Sequence, residues 1–252
     1  MKTMRLILTV LMFCLAAPVW ACQLKASWEP WEPYQFKDSA GKVTGLDNDL
    51  ISAVAKQAGC SIQLDNMPWK RALKMLETGG ISLTSGASKT AEREVYAYFS
   101  DPYRDESVAI FVQKSKANQY TFDSLSAFAN AGLTIGTTRG YHYGDEFMGM
   151  IEKNAIKGKI SESSSDEKSL KKLAAGRADV VLIDKYAGAA LVKSMGLSSK
   201  IVMHSLTLNS ADIHFMFSMK SSSKDLVSKF NKALKEMKAS GEYDKILNRY
   251  LN

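Results

Sequence analysis

Arg93, Asp184, His142 and a scatter of aromatic residues are the side chains in this chain best equipped to hold a small molecule. An arginine's planar fork of donors binds a carboxylate bidentately with little slack; beside Glu92 and Glu94, Arg93 can equally form a surface ion pair. Asp184 ends the apolar run 180–183. A carboxylate at the C-terminal end of a strand faces the crevice of an α/β sheet and can hold an ammonium there, or it can cap a helix over 185–192. Trp31, Tyr34 and Trp69 offer flat apolar faces, with cation–π attraction worth about 0.5 to 2 kcal/mol for a cationic group, or serve as packing. Glu29 and Glu32 suit a cationic ligand end or open solvent. His142 can donate to an anion or titrate near neutrality. A zinc-type His/Cys cluster, a Gly-x-Ser-x-Gly elbow and a Walker loop are all absent from the sequence. Accordingly no catalytic residue, metal or cofactor is expected.

Short β-like runs alternate with helix-like ones, which predicts α/β layers with mainly parallel sheet. Leu24 to Trp28 reads as a first strand, followed by an aromatic, proline-rich loop to Phe36. Asp47 or Asn48 can cap a helix that Gly59 ends, and Ser61 to Leu64 returns as a strand. Trp69 to Thr78 is a second helix; Ile81 to Ser85 is a strand entering the loop 86–92, and Val108 to Gln113 is another strand. Beyond the polar stretch Lys114 to Gln119 the alternation resumes with strands at 133–137 and 180–183 around a helix at 166–175. Ile213 to Ser218 reads as a returning strand, and two amphipathic helices, 225–239 and 243–251, close the chain.

Lys2 and Arg5, the apolar run Leu6 to Ala17 and the small residues around Val19-Trp20-Ala21 form a secretory signal over residues 1–21. The apolar run is too short to span a bilayer, which takes about 20 residues. Removing the signal leaves 31 basic against 26 acidic residues, a net +5. The basic residues sit at helical spacing, as in Lys229, Lys232 and Lys235, and mark a solvated face rather than a nucleic-acid patch. Two cysteines remain, Cys22 and Cys60. In an oxidising compartment they can form one disulfide, worth roughly 3 to 4 kcal/mol on the chain-entropy account. The alternative is lipidation of Cys22, for which bulky Trp20 is a poor neighbour.

Taken in order, five segments make the chain resemble the family 3 solute-binding proteins of ABC importers, the polar amino acid branch. They are Gly45-Leu46-Asp47-Asn48-Asp49-Leu50, Ser85 to Arg93, Phe99-Ser100-Asp101-Pro102-Tyr103, Ala178 to Asp184, and Gly241-Glu242-Tyr243. The resemblance implies a two-lobed α/β fold of the periplasmic binding protein type II kind, its lobes joined by two crossing strands around a ligand cleft. The lobes expected are 22–113 with 211–252, and 114–210 between them. It implies a monomer in the periplasm that closes on a small polar solute, most simply an amino acid, and hands it to an ABC permease in the inner membrane. On this reading Arg93 and Ser88 take the ligand carboxylate, Ser85 and Gly86 offer backbone groups to its ammonium, Asp184 accepts that ammonium from the second lobe, and Trp31, Trp69 and Tyr34 flank the ligand side chain.

The run 135–143 departs from the family pattern, because Tyr141 and His142 stand where small hydroxyl residues are usual. Larger rings change pocket volume and donor placement, and Arg139 beside them can support a more anionic ligand. Two rival functions therefore stay open: a secreted enzyme of the cyclohexadienyl dehydratase type on the same fold, and a ligand-dependent sensor input that docks on a receptor.

Overall fold

The computed structural model describes residues 22–251, apart from the side chains of Asn209, Ser210 and Leu251; the signal segment lies outside the described residues. The chain begins with β1 (Cys22–Trp28), a short hairpin of β2 (Phe36–Lys37) and β3 (Val43–Thr44), and α1 (Leu46–Gln57). Then follow β4 (Cys60–Asn66), α2 (Trp69–Thr78), β5 (Leu83–Ser88), α3 (Ala91–Glu94), β6 (Ala97–Phe99) and β7 (Arg104–Gln113). After a 3₁₀ segment (Lys114–Gln119) come α4 (Leu125–Asn130), β8 (Thr134–Thr138), α5 (Asp145–Glu152), β9 (Lys159–Ser163), α6 (Asp166–Ala174), β10 (Val180–Asp184) and α7 (Lys185–Ser194). The 18-residue strand β11 (Ile201–Ser218) and helices α8 (Lys224–Ser240) and α9 (Glu242–Leu251) complete it.

One continuous sheet runs β4-β1-β5-β11-β7-β10-β8-β9, with β6 also paired to β11. The expectation of a mainly parallel sheet needs correction. Two parallel blocks, β4-β1-β5 and β10-β8-β9, flank an antiparallel ribbon of β11 and β7, and each block joins that ribbon antiparallel. The βαβ pattern is visible locally in sequence, whereas the ribbon pairs Arg104 with Ile213 and Gln113 with Ile201 across about a hundred residues. The same ribbon lengthens two predicted strands. β7 starts at Arg104 rather than Val108, and β5 extends to Ser88 because Ile213 and His214 pair with Ser88 and Ala87.

Cys22 and Cys60 open the parallel pair β1 and β4 directly opposite each other, and they are joined as a disulfide with a Cα separation of 4.4 Å. The bridge uses the thiol that lipidation would require. The start of α1 also differs from expectation. Neither Asp47 nor Asn48 caps it; the N-cap is Gly45, with φ 115° and no side-chain bond. The first-turn donors of Leu46 and Asp47 are taken by the carbonyls of Pro33 and Tyr34 at 3.0 and 2.9 Å, and a Cβ on Gly45 would lie 2.3 Å from the Tyr34 oxygen. Asp47 is thereby free for another partner. Its carboxylate receives Nε and Nη2 of Arg104 at 2.8 and 3.0 Å, a fork-on-fork pair with both side chains buried.

Two stability predictions follow from these links. Replacing both cysteines by serine closes no loop in the unfolded chain and should cost roughly 4 kcal/mol for the 38-residue separation, read as a lower denaturant midpoint; an unchanged midpoint would exclude a disulfide in the purified protein. Arg104→Ala strands the Asp47 carboxylate in the core and should cost about 3–5 kcal/mol, with partial recovery in the Asp47→Asn, Arg104→Ala double variant.

Candidate functional site

The ends of β1 and β5, the loop after β1 and the start of α2 converge on one cavity, faced from the other side by the loop after β8. The loop wall is a tight turn in which Trp31 N–H donates to the Gln35 carbonyl at 2.6 Å and Trp31 packs on Tyr34 with ring centres 4.7 Å apart. Gln35 holds the turn to the sheet, accepting from Glu29 N–H at 3.1 Å and donating to Ser85 Oγ at 3.3 Å. Helix α2 begins at Pro68, which supplies no side-chain cap. Glu29 takes that role, accepting the Trp69 N–H at 3.0 Å, where the helix's positive end favours a carboxylate.

Arg93 is the dominant cation on the cavity lining, and it is 6% exposed. Thr90 caps α3 and accepts from the Arg93 N–H, which orients the residue inward. Nη1 donates to the Ser88 carbonyl at 2.8 Å and Nη2 to the Gly140 carbonyl at 3.0 Å, while the guanidinium lies over the Trp69 ring at 5.6 Å. The surface ion pair with Glu92 or Glu94 that its neighbours allowed is not what forms: Glu94 pairs with Lys89 at 2.9 Å. With neutral carbonyls as partners, burial lowers the Arg93 pKa. A buried charge so placed favours an anion beside it.

On the opposite side, the Gly140 carbonyl also accepts from Trp69 Nε1 at 3.0 Å, and the Tyr141 hydroxyl donates to Glu29 Oε1 at 2.7 Å. Tyr141 thus uses its ring to close the cleft where a smaller hydroxyl would leave it open. His142 lines the cavity and sits 3.2 Å from Asp145 Oδ1; desolvation, then Arg93, lower its pKa, so it is neutral at pH 7. Arg139 does not contribute a second positive group, since its half-exposed side chain faces Glu162.

The cavity therefore gathers Trp31, Trp69, Ser85, Gly86, Ser88, Arg93, Tyr141 and His142, while Tyr34 and Asp184 lie off its lining. Gly86 (φ 74°) spends its N–H on the Tyr103 hydroxyl at 2.9 Å, and Ser88 spends its carbonyl on Arg93. Asp184 does cap α7, accepting from Tyr186 and Ala187 N–H at 2.9 and 2.8 Å with one oxygen; its Oδ2 is buried without a hydrogen-bond partner. Tyr34 stacks on Arg104, 3.9 Å from the guanidinium carbon to the ring centre. Sequence reasoning missed Glu106 on the cavity floor. The signal was the charged triplet Arg104-Asp105-Glu106 ahead of the apolar run, which only pairing with β11 turns into strand.

The two antiparallel crossing strands between parallel blocks, and the buried polar cavity between them, define a two-lobed α/β binding protein with the type II periplasmic architecture. Residues 25–252 match the family described as bacterial extracellular solute-binding proteins, family 3. The chain belongs to that family. It is 29% identical over 227 residues to a probable histidine-binding protein of Neisseria gonorrhoeae, covering 89% of this chain and 81% of that protein. Its fold superposes on an ancestral arginine-binding protein bound to arginine with a TM-score of 0.79, at 27% identity and covering 91% and 98% of the two chains. An ancestral amino acid-binding protein, a precursor of cyclohexadienyl dehydratase, superposes with a TM-score of 0.74 at 25% identity, covering 91% and 96%.

Glu106 also makes the stability of the protein sensitive to pH. Burial pushes its pKa up from 4.5 to about 8, against Arg104 and with help from Asp184, Asp47 and Asp166. A carboxyl raised in this way keeps its proton in the folded state while the unfolded chain has lost it, so stability falls as pH climbs from about 4.5 towards 8. Glu106→Gln should flatten that fall and raise the ligand-free melting temperature at pH 8 by roughly 3 °C or more, with little change at pH 5. Equal shifts at both pH values would mean that Glu106 ionises normally.

Proposed function

We propose that this protein captures an amino acid in the periplasm by closing two lobes around it, and delivers it as a monomer to an ABC permease. The observation that carries the reading is Arg93: a guanidinium buried in a cavity, whose side-chain hydrogen bonds go to two carbonyls, is matched by a ligand carboxylate. The moving bodies are 22–113 with 211–252, and 114–210. The pairing of Val108–Val112 with β10 moves the first of these limits back into β7, so that the bend is set ahead of Val108, opposite the register shifts between Met203 and Asn209 in β11. Ser88 joins Arg93 at the carboxylate, and Trp31 and Trp69 bound the side chain; Asp184, off the lining, is not assigned the ammonium. Relatives named as histidine- and arginine-binding proteins support an amino acid as the solute.

A second reading, a dehydratase-type enzyme, has one observation in its favour, a cavity carboxyl at Glu106 that holds its proton near neutrality. Both oxygens of Glu29 are engaged, which leaves His142 as the one other candidate base on the lining. Incubation with prephenate separates the two: consumption of prephenate would establish the enzyme.

Calorimetry with the common L-amino acids should give one-to-one binding without turnover. Arg93→Ala should weaken the best ligand by at least about 30-fold, near 2 kcal/mol, and a saturating ligand should reduce the radius of gyration in solution scattering. An unchanged dissociation constant would remove Arg93 from the carboxylate role.

A further inference from the structure

We propose that Glu106 is a specificity-determining residue, the point at which the closed cleft receives a cationic group beyond the α-ammonium, so that the preferred solute is an amino acid with a positively charged side chain. The inference rests on the amino-acid reading above and narrows it.

The charges on the cavity do not balance for a neutral zwitterion. Arg93 answers the ligand carboxylate, and His142 is neutral. Of the two acids on the lining, Glu29 is saturated by the Trp69 N–H and the Tyr141 hydroxyl. Glu106 is not. Its side chain is 15% exposed, and its ionic contact is Arg104 Nη1 at 3.8 Å. That guanidinium is already committed to Asp47 through two bonds and to the Asp105 carbonyl through a third.

The groups behind Glu106 add negative charge. Arg104, Glu106 and Val108 alternate onto one face of β7, and Val108 pairs in register with Asp184 on β10. Glu106 and Asp184 are therefore diagonal neighbours on one face, a spacing at which side chains still interact. Asp166, at the start of α6, faces the same group. Asp166 and Asp184 are 5% and 4% exposed, and each has a buried Oδ2 without a hydrogen-bond partner. The Trp31 indole faces Asp166 and the Tyr34 hydroxyl faces Asp184, and each lowers the pKa of the carboxyl it faces as a hydrogen-bond donor does. Burial and mutual repulsion still leave Glu106 at about 8 and Asp166 at about 7.

In this arrangement the cluster holds protons near neutrality. A solute with a neutral side chain brings a single ammonium and leaves part of the cluster protonated. A solute with a second cation replaces those protons with charge of its own. This predicts a preference for the cationic side chain together with proton release on binding.

The test compares L-arginine with L-citrulline, its near-isosteric neutral counterpart, by calorimetry at pH 7.5 on the mature protein and on Glu106→Gln. Each titration is run in two buffers of different ionisation enthalpy, so that proton release is read directly. The wild type should favour arginine by about 30-fold or more and release protons. Glu106→Gln should lower arginine affinity about 10-fold, leave citrulline within about threefold and reduce the proton release; its cooperative melt verifies folding. An arginine-to-citrulline ratio and proton count unchanged by Glu106→Gln would overturn this assignment alone, as would a wild type that prefers citrulline. Failure of the wild type to bind either these two or any other amino acid would overturn the amino-acid reading together with it.

Discussion

The buried pair between Arg104 and Asp47 sets the rest of the cleft in place. It joins the first residue of β7 to the first turn of α1, with the two side chains 3% and 0% exposed. Removing both charges from water is costly, and the doubly bonded geometry, the Asp105 carbonyl and the stacked Tyr34 ring are what offset it. Three neighbours depend on that arrangement. Gly45 lets backbone carbonyls satisfy α1 so that Asp47 can turn inward; Tyr34 is held flat on the guanidinium; and Gly86 is placed where a Cβ would come within 3.3 Å of Asp47 Oδ2. Arg104 is the largest favourable charge acting on Glu106, two residues further along β7, but Asp47 opposes it and burial outweighs it.

Closure converges on a different feature, the carbonyl of Gly140. Trp69 from α2 and Arg93 from α3 both donate to it, so a single peptide in the loop after β8 is read by two helices across the cavity. Gly140 has φ 83° and packs against Lys70, Leu73 and Trp69 at 3.3 to 3.5 Å from a would-be Cβ, so the tight contact requires glycine. Tyr141 adds a cross-cleft bond to Glu29. The large ring that departs from the family pattern therefore acts in closing the cleft, and the side chain it meets is an acid from the opposite lobe.

Local physics was legible in the residues themselves. Helix α2 occupies Trp69–Thr78 as its spacing predicts, Gly59 follows α1 in the left-handed conformation that ends it, and Asp184 caps the helix that follows its strand. The cysteines are paired because two parallel strands start in register, a relation that a βαβ pattern suggests. Arg93 is the instructive case. Its sequence neighbours are acids and favour a surface pair, yet the fold sends one of them to Lys89 and buries the guanidinium among carbonyls.

The sequence by itself determined the longer elements of the first half, the family with its crossing strands and many of the residues around the cavity, because periodicity, caps and short motifs act over a few residues. The tertiary structure alone decided the register of the crossing ribbon, the exclusion of Asp47 from its expected cap and the charge state of the floor. Those outcomes depend on which distant groups meet out of water: a strand becomes antiparallel when residues about a hundred positions away supply its ladder. Likewise a glutamate such as Glu106 holds a proton near neutrality only when burial and other carboxylates surround it.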